Sequence, residues 1–163
     1  MIRRGISLFV VMLAIASVAA AQRPTDVVKW SAQPPAKPVQ AGGVAKVALT
    51  ADVEPGWKLY ALTQPKGGPV PLAITVAKGA PFTLAAKEIG SPAAKAQKDE
   101  LFSGGNTQYY ESEAVFVLPI AVPKTAAPGD HTVPVEVTFQ ACGKEICLRP
   151  FTQRLEVKLT VVK

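Results

Sequence analysis

Thr152-Gln153-Arg154-Leu155-Glu156-Val157-Lys158-Leu159-Thr160-Val161-Val162 alternates apolar and polar side chains along most of its length. A repeat of two is the period of a β-strand, where successive side chains point to opposite faces. Leu155, Val157, Leu159 and Val161 then form one apolar face, and Arg154, Glu156, Lys158 and Thr160 a solvated one. Upstream, Val133, Val135, Val137 and Phe139 repeat the pattern. Asp26–Ser31, Val44–Val53, Trp57–Leu62, Leu72–Ala77, Phe82–Ile89 and Ala114–Val122 are further strand candidates. Fifteen prolines and twelve glycines punctuate these segments, and no stretch sustains an apolar period of 3.6, so helix is a minor component. Seven or more short strands separated by turn residues predict an all-β chain folded as an antiparallel β-sandwich.

Two connections stand out between the strands. Residues 33–43 are rich in Pro, Ala and Gly and are expected to cross the surface after an N-terminal strand. Residues 90–113 form the longest stretch without strand alternation. It carries an apolar pair, Leu101 and Phe102, where a disordered loop would be polar, and is read as a loop serving as a lid.

The N-terminus places Arg3 and Arg4 before an apolar stretch from Ile6 to about Ala16, followed by small residues with Ala19 and Ala21 in an A-x-A arrangement. That order is a secretory signal peptide, so residues 1–21 are expected to be removed, leaving residues 22–163 as one exported domain, periplasmic or otherwise outside the cytoplasm. A spanning helix needs roughly 20 apolar residues, more than this stretch supplies, and no cysteine follows the cleavage position. Neither stable membrane insertion nor a lipid anchor is therefore expected. Loss of Arg3 and Arg4 takes the formal charge from +6 to +4. The remaining basic residues are interspersed with acids and form no clustered patch with stacking aromatics, so no nucleic-acid partner is expected.

Cys142 and Cys147 are the only two cysteines, within Phe139-Gln140-Ala141-Cys142-Gly143-Lys144-Glu145-Ile146-Cys147-Leu148-Arg149-Pro150. In an exported chain two cysteines this close are expected to form a disulfide on a hairpin-like loop. Closing about six residues is worth roughly 2 kcal/mol in the loop-entropy model, against about 4.7 for a 100-residue loop, so the bond is a weak staple. A zinc site would need two more ligands, and His131 is the only histidine. A thioredoxin-type site would space its cysteines two apart at the start of a helix, and no helix signal is present here. Lys144 and Arg149 favour a thiolate while Glu145 opposes it. Exchange and a purely structural disulfide both remain open on the residues alone.

The other conspicuous residues have plainer readings. Trp30 and Trp57 are assigned to core or rim packing. His131 follows Gly129-Asp130 in a turn and is expected to face solvent, and Glu111 and Glu113 are surface alternation. One histidine without a nucleophile motif supports no hydrolase triad.

Val137-Thr138-Phe139-Gln140-Ala141-Cys142 followed by Cys147-Leu148-Arg149-Pro150 resembles the N-terminal periplasmic domain of the thiol:disulfide interchange protein DsbD, a transmembrane electron carrier. The family's corresponding strand ends in aromatic-Gln-small-Cys and resumes at Cys-x-Pro-Pro. Gly56-Trp57-Lys58-Leu59-Tyr60 resembles its Gly-aromatic-x-Leu-Tyr strand. Asp99-Glu100-Leu101-Phe102-Ser103-Gly104 with Tyr109-Tyr110 resembles its acidic, aromatic and glycine-bearing loop. The resemblance implies an immunoglobulin-like sandwich whose cysteines accept electrons from a thioredoxin-like domain and pass them to periplasmic disulfide-containing proteins, with no cofactor and no metal. It implies that Cys147 is attacking and attacked, that Cys142 resolves, and that Leu101 or Phe102 caps the pair. Phe102 is favoured because an aromatic face shields sulfur better. Tyr60 would line the site, and Asp99 and Glu100 would lie near it and oppose thiolate formation.

Arg149 departs from the family by replacing the first proline after the second cysteine, and a positive charge there favours the Cys147 thiolate. Family members continue into a membrane domain, so the resemblance further implies that this domain takes electrons from a separate protein or has lost the exchange role. The rival expectation is a non-enzymatic β-sandwich binding module whose disulfide only fixes a loop.

Overall fold

The alternation read at Thr152–Val162 becomes the last and longest strand of the fold. The structure is a computed structural model that describes residues 22–85 and 89–163. The expected signal peptide, residues 1–21, and residues 86–88 of the expected strand Phe82–Ile89 lie outside the described residues.

Twelve strands follow in chain order: β1 (Val28–Gln33), β2 (Val39–Gln40), β3 (Val44–Val53), β4 (Lys58–Tyr60), β5 (Ala73–Val76), β6 (Thr83–Leu84), β7 (Lys95–Asp99), β8 (Gly105–Tyr110), β9 (Ala114–Ala121), β10 (Gly129–Phe139), β11 (Ala141–Cys142) and β12 (Phe151–Val162). One sheet has the order β1-β3-β9-β6 and a second the order β2-β12-β10-β5. A third and smaller sheet runs β11-β4-β8-β7. All pairings are antiparallel except β2 with β12.

The two larger sheets bury their apolar faces against one another. Val47, Leu49, Phe116, Leu118 and Ile120 come from the first, and Val133, Val135, Val137, Val157 and Leu159 from the second, all within one buried cluster. Trp30 of β1 joins the sheets: its indole lies 5.7 Å from the Phe116 ring and 5.9 Å from the Phe139 ring. The sequence reading of Trp30 as core packing therefore holds, and Trp57 packs half-buried against the same cluster.

Three expectations need correction. The first strand begins at Val28, because Pro24–Val27 forms a single helical turn. Pro24 at its start has no N–H to leave unpaired, and the Asp26 carboxylate accepts the Arg23 N–H at 3.0 Å. Residues 90–113 hold a β-hairpin, β7 and β8, joined by the 3₁₀ turn Glu100–Phe102. Polar side chains on both faces of β7 hid its strand character, since four of its five residues are exposed. Ser103 (φ 55°) and Gly104 (φ 69°) take left-handed conformations that turn the chain back into β8, which a small polar residue and a glycine tolerate. Finally, His131 is half-buried rather than solvent-facing. Its Nε2 lies 2.7 Å from the Ala127 carbonyl oxygen, and its ring stands edge-on to Phe82.

Candidate functional site

The small third sheet brings the cysteines and the expected cap together. β11 continues from β10 through Gln140, whose carbonyl accepts the Tyr60 N–H at 3.4 Å and whose side-chain amide donates to the Leu148 carbonyl at 3.3 Å. Gln140 Oε1 also accepts the Val70 N–H at 2.9 Å, fixing the chain on both sides of the cysteine turn. Within that turn the Leu148 N–H donates to the Ala141 carbonyl and the Gly143 N–H to the Ile146 carbonyl, each at 2.9 Å. Cys142 and Cys147 therefore oppose one another at a non-hydrogen-bonded position of an antiparallel pair, where side chains approach most closely. Their Cα atoms are 4.0 Å apart and a disulfide joins them.

The two sulfur-bearing residues differ in access. Cys142 is fully buried, whereas Cys147 is half-buried beside the exposed residues Lys144, Glu145 and Ile146, the last 59% exposed. Cys142 forms a cluster of its own with Tyr60 and Tyr109, against which Phe102 and Cys147 pack. None of these five belongs to the sandwich core.

Asp99 organises the wall of the site. Its carboxylate is only 4% exposed and accepts the Tyr60 hydroxyl at 2.9 Å, the Leu101 N–H at 3.2 Å and the Thr107 hydroxyl at 3.3 Å. Burial of a carboxylate is costly without such partners, and here three donors supply them. The Leu101 bond caps the 3₁₀ turn and so sets the direction of the two following side chains. Leu101 points outward, 42% exposed, while the Phe102 ring meets Tyr60 edge-on with centroids 5.5 Å apart. Glu100 is exposed at the rim of a shallow cleft of about 330 Å³ that Lys58, Lys98 and Lys144 also line.

Four residues of this site were not singled out as site residues from the sequence. Lys58 lies 3.9 Å from the Asp99 carboxylate, with its Nζ 4.7 Å from the Tyr109 ring centroid. Thr107, Tyr109 and Gln97 complete the wall, with the Tyr109 hydroxyl donating to Gln97 Oε1 at 2.7 Å. The available signal was the alternation of Thr107 and Tyr109 within β8, masked by polar neighbours. Among the described residues, no group of three or more His, Cys, Asp or Glu side chains gathers as a metal-ligand set, and no helix is long and apolar enough to cross a membrane.

Residues 27–159 match the family of the thiol:disulfide interchange protein DsbD, N-terminal. The chain belongs to this family. The N-terminal periplasmic domain of ScsB from Proteus mirabilis shares the fold of this DsbD N-terminal domain with a TM-score of 0.53 and 20% identity, over 86% of this chain and 49% of that one. This chain thus spans about half the length of that ScsB chain. The shared fold is an immunoglobulin-like antiparallel β-sandwich, as expected from the sequence. A Salmonella SafD adhesin (TM-score 0.33, 14% identity, 84% of this chain and 99% of that one) superposes too loosely to bear on the DsbD-type fold. The same holds for a family 123 glycoside hydrolase from Clostridium perfringens (0.35, 8%, 80% and 23%). No curated protein sequence matches significantly.

Burial, followed by the hydrogen bond to Asp99 and the charge of that carboxylate, holds the Tyr60 phenol well above its usual range. Burial also pushes Tyr109 and Tyr110 upward. A phenol whose folded pKa exceeds its unfolded value contributes stability fully below the unfolded value of about 10, and that contribution is lost as pH rises toward the folded one. Through these tyrosines the unfolding free energy is expected to stay level to about pH 9 and to fall above about pH 10. Urea unfolding across alkaline pH checks this: Tyr60→Phe should remove the largest share of the fall, and an unchanged alkaline slope would show that the Tyr60 phenol is not held above its ordinary range in solution.

Proposed function

We propose that this protein is an exported thiol-disulfide exchange domain, residues 22–163, that passes electron pairs from a thioredoxin-like donor to periplasmic disulfide-containing proteins. The observation that carries the reading is the unequal burial of the two half-cystines outside the sandwich core. Of the two half-cystines, Cys147 is the more accessible to an attacking nucleophile. A bond whose partners lie outside the main core and close a short loop also has little to do in holding the fold, at about 2 kcal/mol.

In the reducing half of the cycle, a donor thiolate attacks Cys147 Sγ and the Cys142–Cys147 bond breaks with its electron pair on Cys142 Sγ. The donor's second thiolate then attacks its own sulfur in the mixed disulfide and releases Cys147 as thiolate. The donor is oxidised to a disulfide, and this domain is left as a protonated dithiol. In the second half Cys147 thiolate attacks an acceptor disulfide and expels one acceptor thiolate. Cys142 thiolate then attacks Cys147 Sγ and releases the other, restoring the disulfide. The step takes no cofactor. Phe102, lying across Tyr60 beside the pair, acts as the cap that a docking partner displaces, with Leu101, Tyr60, Asp99 and Glu100 around it. Family membership and the signal-peptide pattern of residues 1–21 support the exported location.

Reduced Cys142→Ala protein is expected to accumulate a mixed disulfide with a thioredoxin-like domain that keeps only its attacking cysteine, activated as an aryl disulfide whose aryl thiolate is expelled, visible as a mass adduct on Cys147, whereas Cys147→Ala should form none. Equal trapping by both variants would overturn the assignment of roles. Phe102→Ala should raise the rate at which small disulfides oxidise the dithiol form several-fold and Leu101→Ala should leave it unchanged; equal rates in all three proteins would remove the cap from the account.

A further inference from the structure

Cys142 has a chemical difficulty that the fold does not relieve through solvent. In the exchange cycle its sulfur must bear a negative charge twice, once as the leaving group when Cys147 is attacked and once as the nucleophile that resolves the mixed disulfide. Yet the residue is fully buried. Burial disfavours the thiolate and raises a thiol's pKa unless a cation stands near it.

Lys58 is placed to be that cation. It is the direct cross-strand partner of Cys142 in the β11–β4 pair, so the two side chains leave the same face of the small sheet from neighbouring positions, with Cβ atoms roughly 4.5–5.5 Å apart. Its side chain is drawn inward, 23% exposed, with the ammonium 4.7 Å from the Tyr109 ring centroid. Its other contact is loose: the Asp99 oxygen is 3.9 Å away, while Tyr60, Thr107 and the Leu101 N–H satisfy that carboxylate at shorter range. The ammonium can therefore leave Asp99 without stranding it.

The geometry points to Lys58 as the charge partner of the Cys142 thiolate, released from Asp99 when the disulfide opens. The inference rests on the exchange reading for its biological use but not for its test. When a donor thiolate attacks Cys147 Sγ, the bond pair passes to Cys142 Sγ and the Lys58 ammonium faces the new charge. In resolution the same ammonium keeps Cys142 ionised until it attacks Cys147 Sγ and expels the partner's thiolate. The other titratable or charged groups facing the pair are Asp99 from β7, Tyr60 from β4, Tyr109 from β8, Lys144 from the cysteine turn, and Lys98 and Glu100 at the cleft rim. Asp99 opposes the thiolate, and its hydrogen bonds from Tyr60 and Thr107 spread part of that charge.

The test uses the Cys147→Ser protein, in which Cys142 is the single thiol, and follows its ionisation by the ultraviolet absorbance of the thiolate. Adding Lys58→Met should raise the titration midpoint by about one pH unit or more, Lys58→Arg should restore it, and Lys46→Met, on the exposed face of β3, should leave it in place. In the protein with both cysteines, Lys58→Met should slow reduction of the disulfide by dithiothreitol several-fold at neutral pH, because a more basic thiol leaves more slowly. Near-ultraviolet circular dichroism confirms that each variant keeps its packing. An unchanged midpoint together with an unchanged rate in folded Lys58→Met would reduce Lys58 to a structural partner of Asp99. Failure of a thioredoxin-like dithiol to reduce the wild-type disulfide would overturn the exchange reading alone, since the Cys142 titration involves no partner.

Discussion

Because successive side chains of a strand leave opposite faces, the three short strands next to the disulfide each divide their residues between two environments. Leu59, Tyr110 and Ala141 enter the core between the large sheets, while Tyr60, Tyr109 and Cys142 turn the other way and form the site. The cysteine turn is thus anchored to the most stable part of the molecule through alternate residues, without its sulfurs being part of that core. A slip of one residue in β4 or β11 would exchange the two sets and expose the core residues, so the register is held by burial of the same residues that support the site.

That division also separates the energetics. Among the described residues the sandwich is held by 27 buried apolar and aromatic side chains with Trp30 bridging the sheets, and deleting one large aromatic from such a core costs about 3–5 kcal/mol. The disulfide, closing about six residues, is worth roughly 2 kcal/mol. A protein built this way can open and close the bond while the fold persists, which is what exchange demands and what a structural staple does not need. Around the sulfurs the wall is polar but satisfied: Asp99 is buried yet fully partnered, and its bond to the Leu101 N–H is what sends Leu101 outward and Phe102 inward.

The sandwich was legible in the sequence because β10 and β12 alternate apolar and polar residues along much of their length, while β3 and β9 are long Val-rich segments bounded by turn residues. The cysteine hairpin was legible from spacing and compartment. What escaped notice was the third sheet. Its strands are two to six residues long, and β7 carries Lys95, Gln97 and Lys98, which give no apolar period. In the sequence Lys58 stands out only as one residue of the Gly56–Tyr60 strand, since only the β4–β11 register puts it opposite Cys142. The choice of Phe102 over Leu101 had been made on chemistry alone; the 3₁₀ turn that orients them depends on a long-range bond from Tyr60 to Asp99 that no local pattern announces.

The equilibrium reduction potential of the Cys142–Cys147 bond tests the central claim most directly. Protein comprising residues 22–163 is titrated in dithiothreitol redox buffers and its free thiols are counted by mass shift. A potential near or above about −250 mV, within reach of thioredoxin-like partners, is the result predicted here, and one below about −300 mV would mark a structural disulfide and contradict the exchange function.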